Sequence, residues 1–315
     1  VFRFNKTIET VEHKNNKVQI KFTDNDTDEV DYLVVSDGIF SATKTIIENK
    51  KFKINFKGAH AARATVNKDK LEELNKENIC NACYIQKFKS EVNWKKREDL
   101  LKKLCDKHRK NDGSYDCIVP GSGGKDSFYT SYKLKFEYGM NPLTITYAPH
   151  IYTDWGYKNF KSWINTGFDN FLFTPNIKVH RLLTRLALEN LFHPFQPFMF
   201  GQNYLTPKIA ANKFKIKLVF YGESPLEYGN DDNKNSPIKD PKYYTSSDPS
   251  SSSIAGIPIK NLIRDFKLKR SDLDNYLPIS VKDFKKSSTE IHYLGYYIPW
   301  HPQSTYYYAV EKGGF

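Results

Sequence analysis

Residues 115–133 read YDCIVPGSGGKDSFYTSYK. The opening six residues form a short apolar run, the pattern of a strand buried on both faces. The last dozen have helical length and carry several aromatics. Between them stands Ser122-Gly123-Gly124-Lys125-Asp126-Ser127. A parallel strand that ends in a glycine-rich turn and then starts a helix makes an anion site. The turn aims several backbone N–H groups at one point, and the helix N-terminus adds partial positive charge. Gly121, Gly123 and Gly124 let the backbone come close to a ligand. Ser122 and Ser127 add hydroxyl donors, and Lys125 neutralises phosphate charge. Asp126 repels phosphate directly, so its natural role is to hold a Mg²⁺ that bridges the phosphates. The run is not a Walker A loop, which needs four residues between its first glycine and Gly-Lys, and a hydroxyl residue directly after the lysine. The bland alternative is an ordinary glycine-rich strand-to-helix turn.

Outward from this stretch, strands and helices alternate. The pattern predicts strands in YDCIVP (115–120), PLTITYAP (142–149), FDNFLFTP (168–175) and IKLVFYGES (216–224). It predicts helices over 126–138, 156–166 and 178–192, and a further one ending in PKIAANKF (207–214). Such alternation predicts an α/β fold with a doubly wound, mainly parallel sheet over residues 111–315. Ligands of such sheets lie at the carboxyl ends of the strands. Adenine is therefore expected at Thr146-Tyr147-Ala148, with Tyr147 stacking, merely packing, or offering only its backbone. Residues 229–255 are polar and turn-rich, and read as a long mobile lid.

Ahead of that domain, residues 67–110 read as a charged helical connector carrying Cys80 and Cys83. Residues 1–66 form a small β-rich segment. KVQIKFTD and DEVDYLVVSDG alternate with strand period around a turn, predicting a hairpin and then a buried strand, YLVV, ending at Asp37-Gly38.

Bulk properties narrow the class. Of 315 residues, 39% are hydrophobic and 15% aromatic, enough for a packed core. No apolar run reaches the roughly 18 residues of a membrane span. The opening VFRFNKTIE does not read as a signal peptide, so a reduced cytoplasmic setting is expected. The net charge of +12 is spread along the chain without a Lys/Arg block. That suits small anionic ligands better than specific nucleic-acid binding. Cys80 and Cys83 have zinc-knuckle spacing, but zinc wants four ligands. Cys105 and His108 are the nearest completing pair. An incomplete half-site, or zinc shared with a second chain, is the preferred reading. Cys117 lies inside a strand and reads as core.

The six-residue run resembles the PP-loop of ATP pyrophosphatases, adenine nucleotide alpha hydrolase-like proteins with the signature Ser-Gly-Gly-x-Asp-Ser. CNAC, GSYDCIVPGSGGKDS, GMNPLTITYAP, NTGFDNFLFTPN, LVFYGESPLEYG and YYIPWHPQSTYYYAVEKGGF appear in order. Together, over about residues 77–315, they resemble the N-acetyl sugar amidotransferase family of lipopolysaccharide and O-antigen biosynthesis. The resemblance implies that ATP is cut between its α- and β-phosphates. The acetamido oxygen of an acidic N-acetyl sugar becomes adenylated, and ammonia then displaces AMP to leave an acetamidine. It also implies a glutaminase partner and a cyclase-like, ammonia-channelling subunit. That family carries an earlier Cys-x-x-Cys and extends past EKGGF, so the chain is expected to be truncated.

On this reading Ser122, Gly123, Gly124, Lys125, Asp126, Ser127 and Tyr147 bind ATP. Lys125, Asp126, Glu223 and Glu227 are the catalytic candidates. Glu223 and Glu227 can bind metal, orient the sugar or accept a proton; the bland reading is solvated loop carboxylates. Arg181 and Arg185, four apart on a predicted helix, can clamp a sugar carboxylate or simply face solvent. Asn176 and His193 are weaker candidates.

Residues 1–66 resemble the middle of a flavin-dependent aromatic-ring hydroxylase of the ubiquinone type, with Asp37-Gly38 as its Asp-Gly motif. The chain has no Gly-x-Gly-x-x-Gly, so no FAD is expected and the segment reads as a fusion. Two other functions compete: a tRNA-modifying PP-loop enzyme, and an incomplete fusion that binds nucleotide without turnover.

Overall fold

The computed structural model describes residues 6–14, 17–33, 43, 46–47, 87–223, 227 and 236–315. The chain divides into two compact units, Val1–Leu74 and Asn75–Phe315.

In the first unit, β1 (Ile8–Lys14), β2 (Lys17–Phe22) and β3 (Thr27–Val30) form an antiparallel sheet in the order β1-β2-β3. Alternation puts Val18 and Ile20 on one face, and both are buried. Asn25 takes the left-handed conformation in the β2–β3 turn, and Phe22 N–H donates to the Asp26 carbonyl at 2.9 Å. The predicted hairpin is therefore β2–β3, while β1 is an additional strand. The predicted strand YLVV is not found at its start: pairing stops at Val30, and Tyr32 is 88% exposed. Asp37 and Gly38 lie outside the described residues, as do Cys80, Cys83 and the connector residues 67–79.

The second unit is built on five parallel strands: β4 (Cys117–Pro120), β5 (Pro142–Tyr147), β6 (Asn170–Phe173), β7 (Leu218–Tyr221) and β8 (Glu290–Tyr293). Their order is β8-β7-β4-β5-β6. The chain enters at the central strand, winds outward through β5 and β6, then crosses to build β7 and β8 on the other side. Every residue of β4 and β5 is buried, as expected for strands covered on both faces.

Helices cover both faces. On one, Leu101 and Cys105 of α1 (Trp94–His108) meet Cys117, Val119, Leu218 and Phe220. The same side carries α2 (Lys125–Tyr132) and α3 (Asp154–Asn165). On the other face, α4 (Ile177–Glu189) and α5 (Gln196–Lys208) pack Leu183, Leu186 and Leu205 over Ile118, Ile145 and Val219. Ile259–Phe266 (α6) and Val281–Ser287 (α7) extend that layer through Leu262 and Phe284. The last helix, α8 (Pro302–Gly313), returns to pack on α2. The predicted doubly wound α/β architecture is the observed one.

The lid expected over 229–255 needs correction. Within its described part, Tyr244, Ile254 and Ala255 are buried in the α4–α5 layer, and residues 237–239 line the outer edge of β8. Apolar side chains at those positions tie the polar segment down, and a sheet edge gives its backbone hydrogen bonds.

Candidate functional site

The strand order reverses beside β4, so the crevice of this sheet opens where β4 and its neighbour β7 end. Residues 121–124 occupy that point. Gly121 N–H still donates to the Ile145 carbonyl at 2.9 Å, extending the sheet by one bond. Beyond it the N–H groups of Ser122, Gly123 and Gly124 find no acceptor among the described residues. Gly124 caps α2 in an extended conformation with no side-chain hydrogen bond, so the first N–H groups of α2 also stay open. Several donors and a helix N-terminus thus converge on one short arc.

The glycines are required by packing. A Cβ on Gly123, where φ is +87°, would lie 2.6 Å from the Phe160 Cα. A Cβ on Gly121 would lie 2.1 Å from the Ser127 Cβ. The loop is therefore pressed onto α3, and Trp163 Nε1 fastens α3 to α2 by donating to Ser131 Oγ at 2.8 Å.

Lys125 and Asp126 open α2. Lys125 Nζ donates to both oxygens of Asp126 at 2.7 and 2.6 Å. Both side chains are about one-third exposed (34% and 31%), so an incoming anion and cation can separate them. Ser122 is exposed beside them, and Ser127 Oγ donates to the Gly124 carbonyl at 2.9 Å, closing the turn.

Glu223 follows β7, the strand that neighbours β4. Ile118 pairs with Val219 on the adjacent strand, and Glu223 stands two residues past the end of β7, where its charge helps raise the Tyr293 hydroxyl after burial. It follows Gly222, where a Cβ would stand 2.7 Å from the Trp300 ring and 2.9 Å from Thr130 Oγ1 of α2. Glu227 is differently placed. Lys89 Nζ donates to both its oxygens at 2.8 Å and to the Trp300 carbonyl at 2.7 Å. This ion pair engages the whole carboxylate, which gives Glu227 a tethering role instead of that of an open base.

Other sequence candidates fall elsewhere. The Tyr147 ring is 2% exposed beneath α5, in ring contact with Phe173, His180 and Phe198. Of the three options for Tyr147, packing is the one its ring takes, and only its backbone remains to offer a ligand. Arg181 and Arg185 are exposed on α4, with Arg185 paired to Glu189 at 3.5 Å. Asn176 caps α4 by accepting from Lys178 N–H at 3.1 Å. His193 Nδ1 accepts from Phe195 N–H at 3.1 Å. Cys105 and Cys117 are buried free thiols. Burial pushes Cys105 up to about 12 and Cys117 well above its ordinary value, so neither is a thiolate. Cys105 lies in the core of the α1 layer. Among the described residues no three His, Cys, Asp or Glu side chains gather into a metal site. None of their helices is long and apolar enough to cross a membrane.

Sequence reading missed Thr130, Lys89, Gly222 and Trp300. Gly222 was the detectable one: a glycine directly after a buried strand signals close backbone approach.

No protein family matches the sequence, and no curated protein does. Among solved structures, a predicted subunit of tRNA methyltransferase from Methanocaldococcus jannaschii is similar. It is 18% identical, and the match covers 62% of this chain and 74% of that one. The TM-score of 0.32 is a loose superposition.

Proposed function

We propose that the second unit is a PP-loop enzyme that splits ATP to AMP and pyrophosphate in order to activate an amide. The observation that carries this reading is the run Ser122–Ser127 emerging from the central strand at the point where strand order reverses. The open N–H groups of Ser122, Gly123 and Gly124 and the Lys125 ammonium would hold the β- and γ-phosphates and stabilise the leaving pyrophosphate. Asp126 fits a Mg²⁺ role: among the described residues its carboxylate has only Lys125 as side-chain partner. The ion would take its remaining ligands from phosphate oxygens and water.

The acceptor we favour is an acidic N-acetyl sugar, on the strength of the sequence resemblance. Its acetamido oxygen attacks the α-phosphorus, and the bond to pyrophosphate breaks. Ammonia then adds to the imidate carbon, a proton is lost from nitrogen, and the C–O bond breaks to release AMP. To Glu223, just beyond the end of β7, we assign the role of orienting the acceptor or taking that proton. Ammonia would come from a glutaminase through a cyclase-like subunit. We assign residues 111–315 to this activity, 67–110 to a connector with an incomplete zinc half-site, and 1–66 to a fused segment without FAD.

ATP–pyrophosphate exchange tests the assignment. Exchange that depends on an N-acetylated acidic sugar is the expected result. Exchange dependent on tRNA would move the protein to the tRNA-modifying class. ATP binding without exchange on either acceptor would leave a nucleotide-binding fusion.

A further inference from the structure

A second feature lies along the same edge of the sheet. Tyr221 and Tyr293 are the last residues of β7 and β8, and beyond them a cavity of about 660 Å³ opens against α5. Phe200, Asn203, Tyr221, Lys239, Tyr243 and Tyr293 contribute to its wall. The volume suits a small molecule, and the lining combines aromatic faces with a few polar groups.

Lys239 gives the cavity its charge. Its backbone is fixed on the edge of β8: Lys239 N–H donates to the Ile291 carbonyl at 2.8 Å, and Tyr293 N–H to the Pro237 carbonyl at 2.9 Å. The ammonium donates to Asn203 Oδ1 and sits 4.2 Å from the centre of the Tyr221 ring. Asn203 is itself held, donating to the Tyr243 carbonyl at 2.6 Å. Among the described residues no carboxylate pairs with Lys239. Asp240, the next residue, pairs with Lys242 at 3.3 Å. Burial pulls the Lys239 ammonium down to about 8. A half-buried cation held by one neutral amide and an aromatic face is under-compensated, and an anionic ligand would supply the missing charge.

We propose that this cavity is the acceptor site, and that it takes a small anion carrying a ring, the negative group on Lys239 Nζ and the ring against Tyr221 and Tyr293. The proposal rests on the reading above, because it gives the PP-loop's co-substrate a place one strand from the loop. A sugar carboxylate and a sugar phosphate both present this chemistry.

Binding to the full chain tests it, with N-acetylglucosaminuronate, N-acetylglucosamine 1-phosphate and neutral N-acetylglucosamine as probes. At least one anionic probe should bind tenfold or more tighter than the neutral one, and the tighter of the two identifies the source of the charge. Lys239→Gln should erase that preference while Mg-ATP affinity stays unchanged. Asn203→Asp places a carboxylate beside the ammonium and should weaken anion binding by a similar factor, with thermal unfolding confirming that both variants fold. Equal affinity for charged and neutral probes, or a folded Lys239→Gln that keeps the preference, overturns the proposal. Loss of anion binding in Lys239→Gln by a chain that never binds ATP would uphold the cavity and sink the PP-loop reading instead.

Discussion

The turn after β4 and the exit from β7 sit on adjacent parallel strands, and each begins with a glycine, yet they present opposite kinds of surface. The first presents backbone: consecutive N–H groups from residues 122–124, with a single ammonium alongside. The second presents side chains, drawn from α5, from the segment on the edge of β8 and from two strand ends. A backbone cradle depends on conformation, so its weak points are glycines. A side-chain cavity depends on convergence, so its weak points are charges and volumes. Substitutions that separate these dependencies sharpen or break the contrast.

The largest effect is expected at Gly123. An alanine Cβ would meet the Phe160 backbone at 2.6 Å, in a conformation with positive φ. Gly123→Ala should cost about 3 kcal/mol of stability and abolish ATP binding. Denaturant unfolding with and without Mg-ATP checks both; a variant that folds and binds ATP normally would remove the close seating of the loop on α3.

Next comes Lys125→Met. Pyrophosphate exchange should fall by about 10²–10³-fold, in line with loss of one preorganised charge donor. The unfolding midpoint should hardly move, since the Lys125–Asp126 pair is substantially exposed. Unchanged exchange would place the triphosphate elsewhere.

A smaller effect, on the cavity alone, follows pH. Lys239 titrates near 8 because burial lowers it from its ordinary value. The anion needs the ammonium, so affinity should be full below that value and fall by up to about tenfold per pH unit above it. Burial raises the hydroxyls of Tyr221, Tyr244 and Tyr293, keeping those neighbours neutral through the same range. Lys242, the other cation of the cavity wall, is paired with Asp240. A titration of anion binding, with the neutral sugar as control, reads this. A fall beginning only near the usual lysine value of about 10.4 would exclude Lys239 as the contact.

The smallest effect belongs to Arg181→Ala/Arg185→Ala. Both side chains are exposed, and one already pairs with Glu189. Acceptor KM should stay within about twofold and stability within about 0.5 kcal/mol. A large rise in KM would restore the helix face as a carboxylate clamp.

The legibility of the two regions differs for the same reason that their chemistry does. The loop is contiguous, so its six residues and the strand–turn–helix around them could be read in order. Glu223 stood out as a candidate because it follows a buried strand. Lys239 did not, because it is one of many lysines in a polar stretch that reads as a mobile lid. In the tertiary structure the described part of that stretch is held down by Tyr244, Ile254 and Ala255, buried under neighbours, and by the bridge from Ile238 to His292. Tyr147 shows the converse. A tyrosine at the end of a parallel strand has the right address for a nucleotide, but Gly201 on α5 lets the helix close over it: a Cβ there would lie 2.2 Å from the ring.

Alternating apolar runs and one glycine-rich turn were enough by themselves to specify a mainly parallel α/β sheet with open backbone N–H groups after its central strand. Both arise from local preference and from periodicity, which neighbouring residues encode. Which side chains meet at the strand ends was decided only by the tertiary structure. Lys89 was brought 138 positions along the chain to Glu227, and Asn203 met Lys239 across 36. Contacts of that span come from packing helices on a twisted sheet, and no short stretch of sequence contains them.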